Sequence, residues 1–237
     1  MDLNTYTFLT RQSGLMKEMA FVANNIANVA TNGFRQQTLL FSEFLSPVNE
    51  GASLSMANGN IERTSFQQGA FEKSGNLLDF AIEGEGFFLL ETPFGTRLTR
   101  AGQFSPNDAG DLVNMDGHRI LDISGAPIFI PPQINAVNVA NDGTFSIDGQ
   151  ILGQIGIVRP ANMSDLKREG GVLFRTDGEI LPVDTPRLLQ GYLEKSNTDP
   201  LGQMARMIEV QRAYETGQSF LDAEDKRVKS ALQSLTK

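Results

Sequence analysis

Apolar residues recur near the start of the chain at Leu15, Met19, Val22, Ile26 and Val29, in steps of four, three, four and three, the spacing of a coiled-coil seam. Near the end, Met207, Val210, Tyr214, Leu221, Val228, Ala231 and Leu235 fall on the same lattice, with Gly217 and Glu224 occupying seam positions. The pattern predicts a helix from Asp2 to about Val29, with Asn4 or Thr5 as cap and Thr31-Asn32-Gly33 as stop. A second helix is predicted from Leu201 to Leu235, capped by Thr198 or Asp199 with Pro200 at its first position. A helix of that length needs a partner, either the N-terminal helix or the helices of other copies.

Between the ends the period changes. Short apolar runs such as Phe80-Ala81-Ile82, Phe87-Phe88-Leu89-Leu90, Ile128-Phe129-Ile130 and Ile155-Gly156-Ile157-Val158 alternate with the turn dipeptides Asp116-Gly117, Asp142-Gly143, Asp148-Gly149 and Asp177-Gly178. Pro131-Pro132, Pro182 and Pro186 suit edges and connections. The predicted fold is mixed α and β: N- and C-terminal helices forming a coiled-coil domain around a central all-β, largely antiparallel domain. The expected boundaries are an N-terminal helix over 1–30, an extended connection over 31–75, the β domain over 76–193 and a C-terminal helical segment over 194–237. The connection is rich in Gln, Ser, Asn and Gly, which predicts loose order and no core.

Charge sharpens this division. Of the formal −8, the stretch 76–193 carries −7, residues 1–75 carry −1 and residues 194–237 carry none. No segment supplies the basic footprint that nucleic acid requires. A neutral C-terminal segment approaches copies of itself with little long-range repulsion. Without cysteine there is no disulfide or thiolate metal site. No apolar run reaches the roughly 18 to 20 residues of a membrane span, so membrane insertion is not expected, and no basic stretch leads into an apolar segment of the secretory type.

Chemical motifs are sparse. His118 is the one histidine, in a turn after Asp116-Gly117, and no Gly-x-Ser-x-Gly elbow occurs. Calcium-loop spacing fails whether Gly110 or Gly117 takes the sixth position, and Gly84-Glu85-Gly86 lacks the third glycine of a phosphate loop. No catalytic residue, metal site or cofactor is expected. Paired carboxylates for a cell-wall hydrolase remain an alternative, disfavoured by the absence of Trp and the presence of only three Tyr to stack on sugars. A free-standing coiled-coil adaptor is the third reading.

The stretch Ala23-Asn24-Asn25-Ile26-Ala27-Asn28-Val29-Ala30-Thr31-Asn32-Gly33-Phe34-Arg35 resembles the N-terminal signature of flagellar rod and hook proteins, with Ala30 where asparagine is common. Leu193-Glu194-Lys195-Ser196-Asn197-Thr198-Asp199, followed by Met207-Ile208-Glu209-Val210-Gln211-Arg212-Ala213-Tyr214-Glu215, is similar to the family's second signature, with Thr198 replacing a usual valine. Gly84-Glu85-Gly86-Phe87-Phe88, Thr99-Arg100-Ala101-Gly102-Gln103-Phe104 and Asp142-Gly143-Thr144 resemble family blocks in the expected order. Length and a short central domain make the chain most similar to a proximal-rod member, with a distal-rod or hook subunit as the alternative.

The resemblance implies an axial component of the basal body, exported by the flagellar type III apparatus without a cleaved signal and assembled in the periplasm with other copies and neighbouring rod proteins. It implies terminal helices lining a tube with β domains outside. Leu15, Met19, Val22, Ile26, Met207, Val210, Tyr214 and Leu221 are the expected assembly seam, with intramolecular core as the plain alternative. Asn24, Asn25, Asn28, Gln211 and Arg212 are the expected polar subunit contacts. Residues 1–30 and 200–237 are expected to be mobile in the isolated subunit and helical in the polymer.

Overall fold

Each terminal stripe folds as a helix with recognisable ends in the single chain, against the expectation that residues 1–30 and 200–237 become helical only in the polymer. The N-terminal helix α1 runs Leu3–Ala27 and gives way to turns in which Asn28 N donates to Asn24 O and Val29 N to Ile26 O. The C-terminal helix α2 runs Pro200–Leu235. Asp199 starts it, its carboxylate accepting from the backbone of Leu201 at 3.1 Å and Gly202 at 3.2 Å, donors that the first turn otherwise leaves unpaired. Proline fits the first helical position because its missing N–H has no partner there anyway. The structure, a computed structural model, describes residues 3–46, 54–131, 137–147 and 149–235, with side chains described for 8–41, 61–131, 137–147 and 149–234. Asp2, Pro132, Asp148 and residues 47–53 lie outside the described residues, as do the side chains of Asn4, Thr5 and Leu235.

The chain divides into two compact units. The first joins residues 1–29, 36–66 and 198–237. In it the stretch expected to be a loose connection forms two long strands, β1 (Gln37–Ser46) and β2 (Leu54–Thr64), paired antiparallel from Gln37↔Thr64 to Ser46↔Leu54, with a register shift between Leu40 and Phe41. Both strands pack on α1. The expectation from composition misses them for a physical reason: an antiparallel ladder satisfies backbone N–H and C=O groups whatever the side chains are, and a hairpin laid on a helix needs little core of its own.

The second unit joins residues 30–35 and 67–197 and is built from short antiparallel strands. The central strand Phe87–Thr92 pairs with Gly95–Thr99 on one side and with Arg119–Ile120 and Ile157–Pro160 on the other. Its run of four apolar residues, Phe87 to Leu90, is buried throughout, as a strand covered on both faces requires. Phe80, Phe88, Leu90, Phe104, Phe145 and Ile155 belong to one core cluster. Phe104 meets Phe88 edge-on at 5.4 Å between centroids. The Asp-rich turns bond their own backbone: the Asp142 carboxylate accepts from Thr144 N, and the Asp122 carboxylate from Ser124 N and Ala126 N. His118 lies half-buried in a turn, its backbone N donating to Asn114 Oδ1. Among the described residues no group of three or more metal-ligating side chains occurs, and no helix is long and apolar enough to cross a membrane.

Candidate functional site

Within the first unit α1 and α2 run antiparallel, which four contacts along their length establish. Phe8 stacks on Phe220 with ring centroids 4.3 Å apart, Gln12 Nε2 donates to Tyr214 O at 3.0 Å, Arg206 Nε donates to Glu18 Oε1 at 2.7 Å, and Asn25 Nδ2 donates to Gln203 Oε1 at 3.1 Å. Leu15, Val22 and Val210 are buried between these contacts, and Met19, Ile26, Met207, Tyr214 and Leu221 are half-buried. Fully burying each such side chain stabilises the pair by roughly 1.5–3 kcal/mol. The stripe is continuous through Gly217, where a Cβ would stand 2.5 Å from Gln12 Nε2. A residue that breaks the apolar pattern thus makes room for the hydrogen bond that locks the helices in register.

The polar positions divide. Asn25 is buried and its amide is used inside the chain: Oδ1 accepts from Gln37 N at 2.9 Å and Nδ2 donates to Gln37 O at 2.7 Å, fastening the start of β1 to α1. Asn24, Gln211 and Arg212 are exposed, and Asn28 is half-buried with its amide on Asn24 O. Glu18, which the periodicity passes over, is buried against Arg206. Its hydrogen bond raises the Arg206 guanidinium above the ordinary arginine value, with burial pulling the other way.

The pair leaves much apolar surface outside. α2 has 36 residues and α1 has 25, a difference of about 16 Å at roughly 1.5 Å per residue. From Asp225 to Ser234 every residue of α2 is exposed, including Val228 and Leu232, which continue the stripe of Val210, Tyr214 and Leu221 beyond the reach of α1. On another face Leu201, Met204 and Ile208 are exposed as well, at 77%, 51% and 50%. Alongside the seam runs a groove with two cavities of about 470 and 290 Å³, which share Arg11, Leu15 and Ala213 in their walls.

In the second unit, the segments that leave α1 and enter α2 are clamped together. Gly33 N donates to Glu194 O at 2.7 Å and Asn197 N to Phe34 O at 3.3 Å. Arg35 Nη2 meets Glu194 Oε1 at 2.7 Å, both side chains nearly inaccessible, and Gly69 N donates to the same oxygen at 2.9 Å. Arg100 Nη1 stands 3.8 Å from the other carboxylate oxygen. Arg168 lies over the rings of Phe34 and Phe174 at 4.6 and 4.7 Å and donates to Arg35 O. Burial pushes Arg100 and Arg168 down to about 10, and pushes Arg35 down too, with Glu194 opposing the shift at Arg35 and Arg100. All three remain cations at neutral pH. Gly33 adopts φ 71, and a Cβ there would stand 2.4 Å from Ala101 N, so only glycine fits this crossing. Arg35 and Glu194 both fall in the signature stretches, but nothing in the sequence pairs residues so far apart.

Residues 81–147 match the family described as flagellar hook protein FlgE/F/G D1 domain, and residues 189–234 match flagellar basal body rod FlgEFG protein C-terminal. The chain is 37% identical over 243 residues to the flagellar basal-body rod protein FlgF of Caulobacter vibrioides, covering 100% of this chain and 99% of that protein. It is 34% identical to the FlgF of Mesorhizobium japonicum over 91% of this chain and 90% of the relative. It is 31% identical to the flagellar basal-body rod protein FlgG of Bacillus subtilis over 93% of this chain and 94% of the relative.

Proposed function

The chain belongs to the flagellar rod and hook protein family as a structural subunit of the basal-body rod, and on that premise we propose that α1 and α2 are its axial assembly surface in the proximal rod. It is a structural protein and not an enzyme, which sets the hydrolase reading aside. The observation that carries the proposal is the unequal helix pair. One apolar stripe is shared between α1 and α2, while Val228 and Leu232 carry it on as exposed residues of the longer helix. Exposed stripes in phase with a packed seam suit burial against the helices of sister subunits. In this reading the helix pair is a coiled coil that joins its counterparts in neighbouring rod proteins, and the chain reaches the periplasm through the flagellar type III apparatus. Proximal placement rests on likeness to relatives named FlgF.

Removing the gene and restoring it with Val228→Asp tests this reading. Loss of the gene is expected to abolish swimming. The variant chain is expected to keep its helix content in isolation yet fail to enter purified basal bodies. Normal swimming without the gene contradicts the rod reading, and full incorporation of Val228→Asp contradicts the assigned surface.

A further inference from the structure

Resting on the assembly reading and adding a contact to it, we propose that the groove between α1 and α2 seats the outer ridge of α2 from a second copy. The two copies lie side by side, with their α2 helices parallel and level. The ridge is Leu201, Met204 and Ile208, spaced three and four apart and at least half exposed. The groove is its complement in shape, an apolar floor that includes Leu15 and Val210 beneath a charged rim.

Charge sets the register. Arg11 stands on the groove at the level of Ala213 and Thr216 and makes no ion pair among the described residues. Glu215 lies on the ridge face two turns beyond Ile208, accepts only from Gln211 at 3.0 Å and pairs with no cation among the described residues. If a second α2 lies parallel and level in the groove, its Ile208 sits beside the larger cavity and its Glu215 comes level with Arg11. An antiparallel or shifted helix separates these charges. At roughly 100° per residue, ridge and groove lie about 150° apart around α2, so one partner cannot occupy both. The contact is therefore heterologous, and each copy added presents a fresh ridge or groove.

The chain contains no cysteine, so introduced thiols report on this contact alone. Arg11→Cys and Glu215→Cys chains, co-expressed in cells lacking the native protein, are expected to form a disulfide dimer under mild oxidation, and neither alone is expected to do so. The double variant is expected to give a ladder of multimers. In parallel, Arg11→Glu and Glu215→Arg are each expected to shrink the swimming halo, and combining them is expected to restore it. Circular dichroism of the purified variants checks that helix content is kept. Swimming cells whose two cysteines never join, or single reversals without effect, overturn the proposed contact and leave the rod assignment standing. Unimpaired swimming without the gene overturns the assembly reading itself.

Discussion

The β unit and the helix unit finish their burial differently. In the β unit Phe80, Phe88, Leu90 and Phe145 are closed off completely, and even the charges at its clamp are paired or stacked. In the helix unit an equally regular apolar pattern is closed on one side only: Val210 is buried while Ile208, two positions earlier, is half exposed. The first arrangement closes its core within the chain. In the proposed assembly the second is a surface whose remaining burial comes from sister subunits. On the proposed reading the chain separates a folded scaffold from an assembly surface, and the clamp anchors within the β unit the two segments from which the helices spring.

The largest expected effect breaks the closed side of this comparison. Glu194→Ala leaves Arg35 and Arg100 buried without their carboxylate, and it is expected to lower the stability of the β unit by about 3–5 kcal/mol in urea unfolding. An unchanged midpoint would mean that the clamp is not held by charge. Val22→Asp comes next, placing a charge in the α1 stripe. A cost of about 3 kcal/mol is expected, confined to the helix unit: helical signal is lost while the β unit unfolds at its usual midpoint. Simultaneous loss of both units would contradict the division.

Gly217→Leu probes the register of the helix pair. It pushes Gln12 off Tyr214 O and is expected to cost about 1–3 kcal/mol of helix-unit stability by overpacking, read as earlier thermal loss of the helical signal. The smallest effect concerns acid. For the Asp122 carboxyl, burial acts upward but is outweighed by donors from Ser124, Ala126 and Gly125, so its value in the fold is depressed. Its stabilising share is present above the ordinary carboxylate value of about 3.9 and is lost as pH falls through the lower folded value. Thermal melts from pH 6 to pH 3 are expected to show the wild-type β unit losing this share only below about pH 4. Asp122→Asn is expected to flatten that part of the profile.

Much of the helix unit is legible in the sequence, because a period of three and four with Asp199-Pro200 at its head states a helix locally. Gly217 reads there as an interruption, since the sequence cannot show that a Gln12 side chain fills the space. The β1–β2 hairpin is hidden for the opposite reason. Its stability lies in backbone pairing and in the Asn25 amide, and its polar composition resembles that of a loose segment. Asn25 itself reads as a surface residue of α1 because nothing local says that Gln37 folds back over it. The clamp is the least legible part, since the pairing of Arg35 with Glu194 exists only once the chain has brought its two ends together.

Methionine oxidation, compared between the isolated chain and purified basal bodies, tests the α2 surface most directly. Met204 on the α2 ridge and Met115 on a β-unit turn are both exposed in the free chain, at 51% and 81%. Met204 is expected to oxidise readily in isolation and to become resistant in the basal body, with Met115 in the free chain marking full reactivity. Equal reactivity of Met204 in the two states would contradict the claim that sister subunits cover this face.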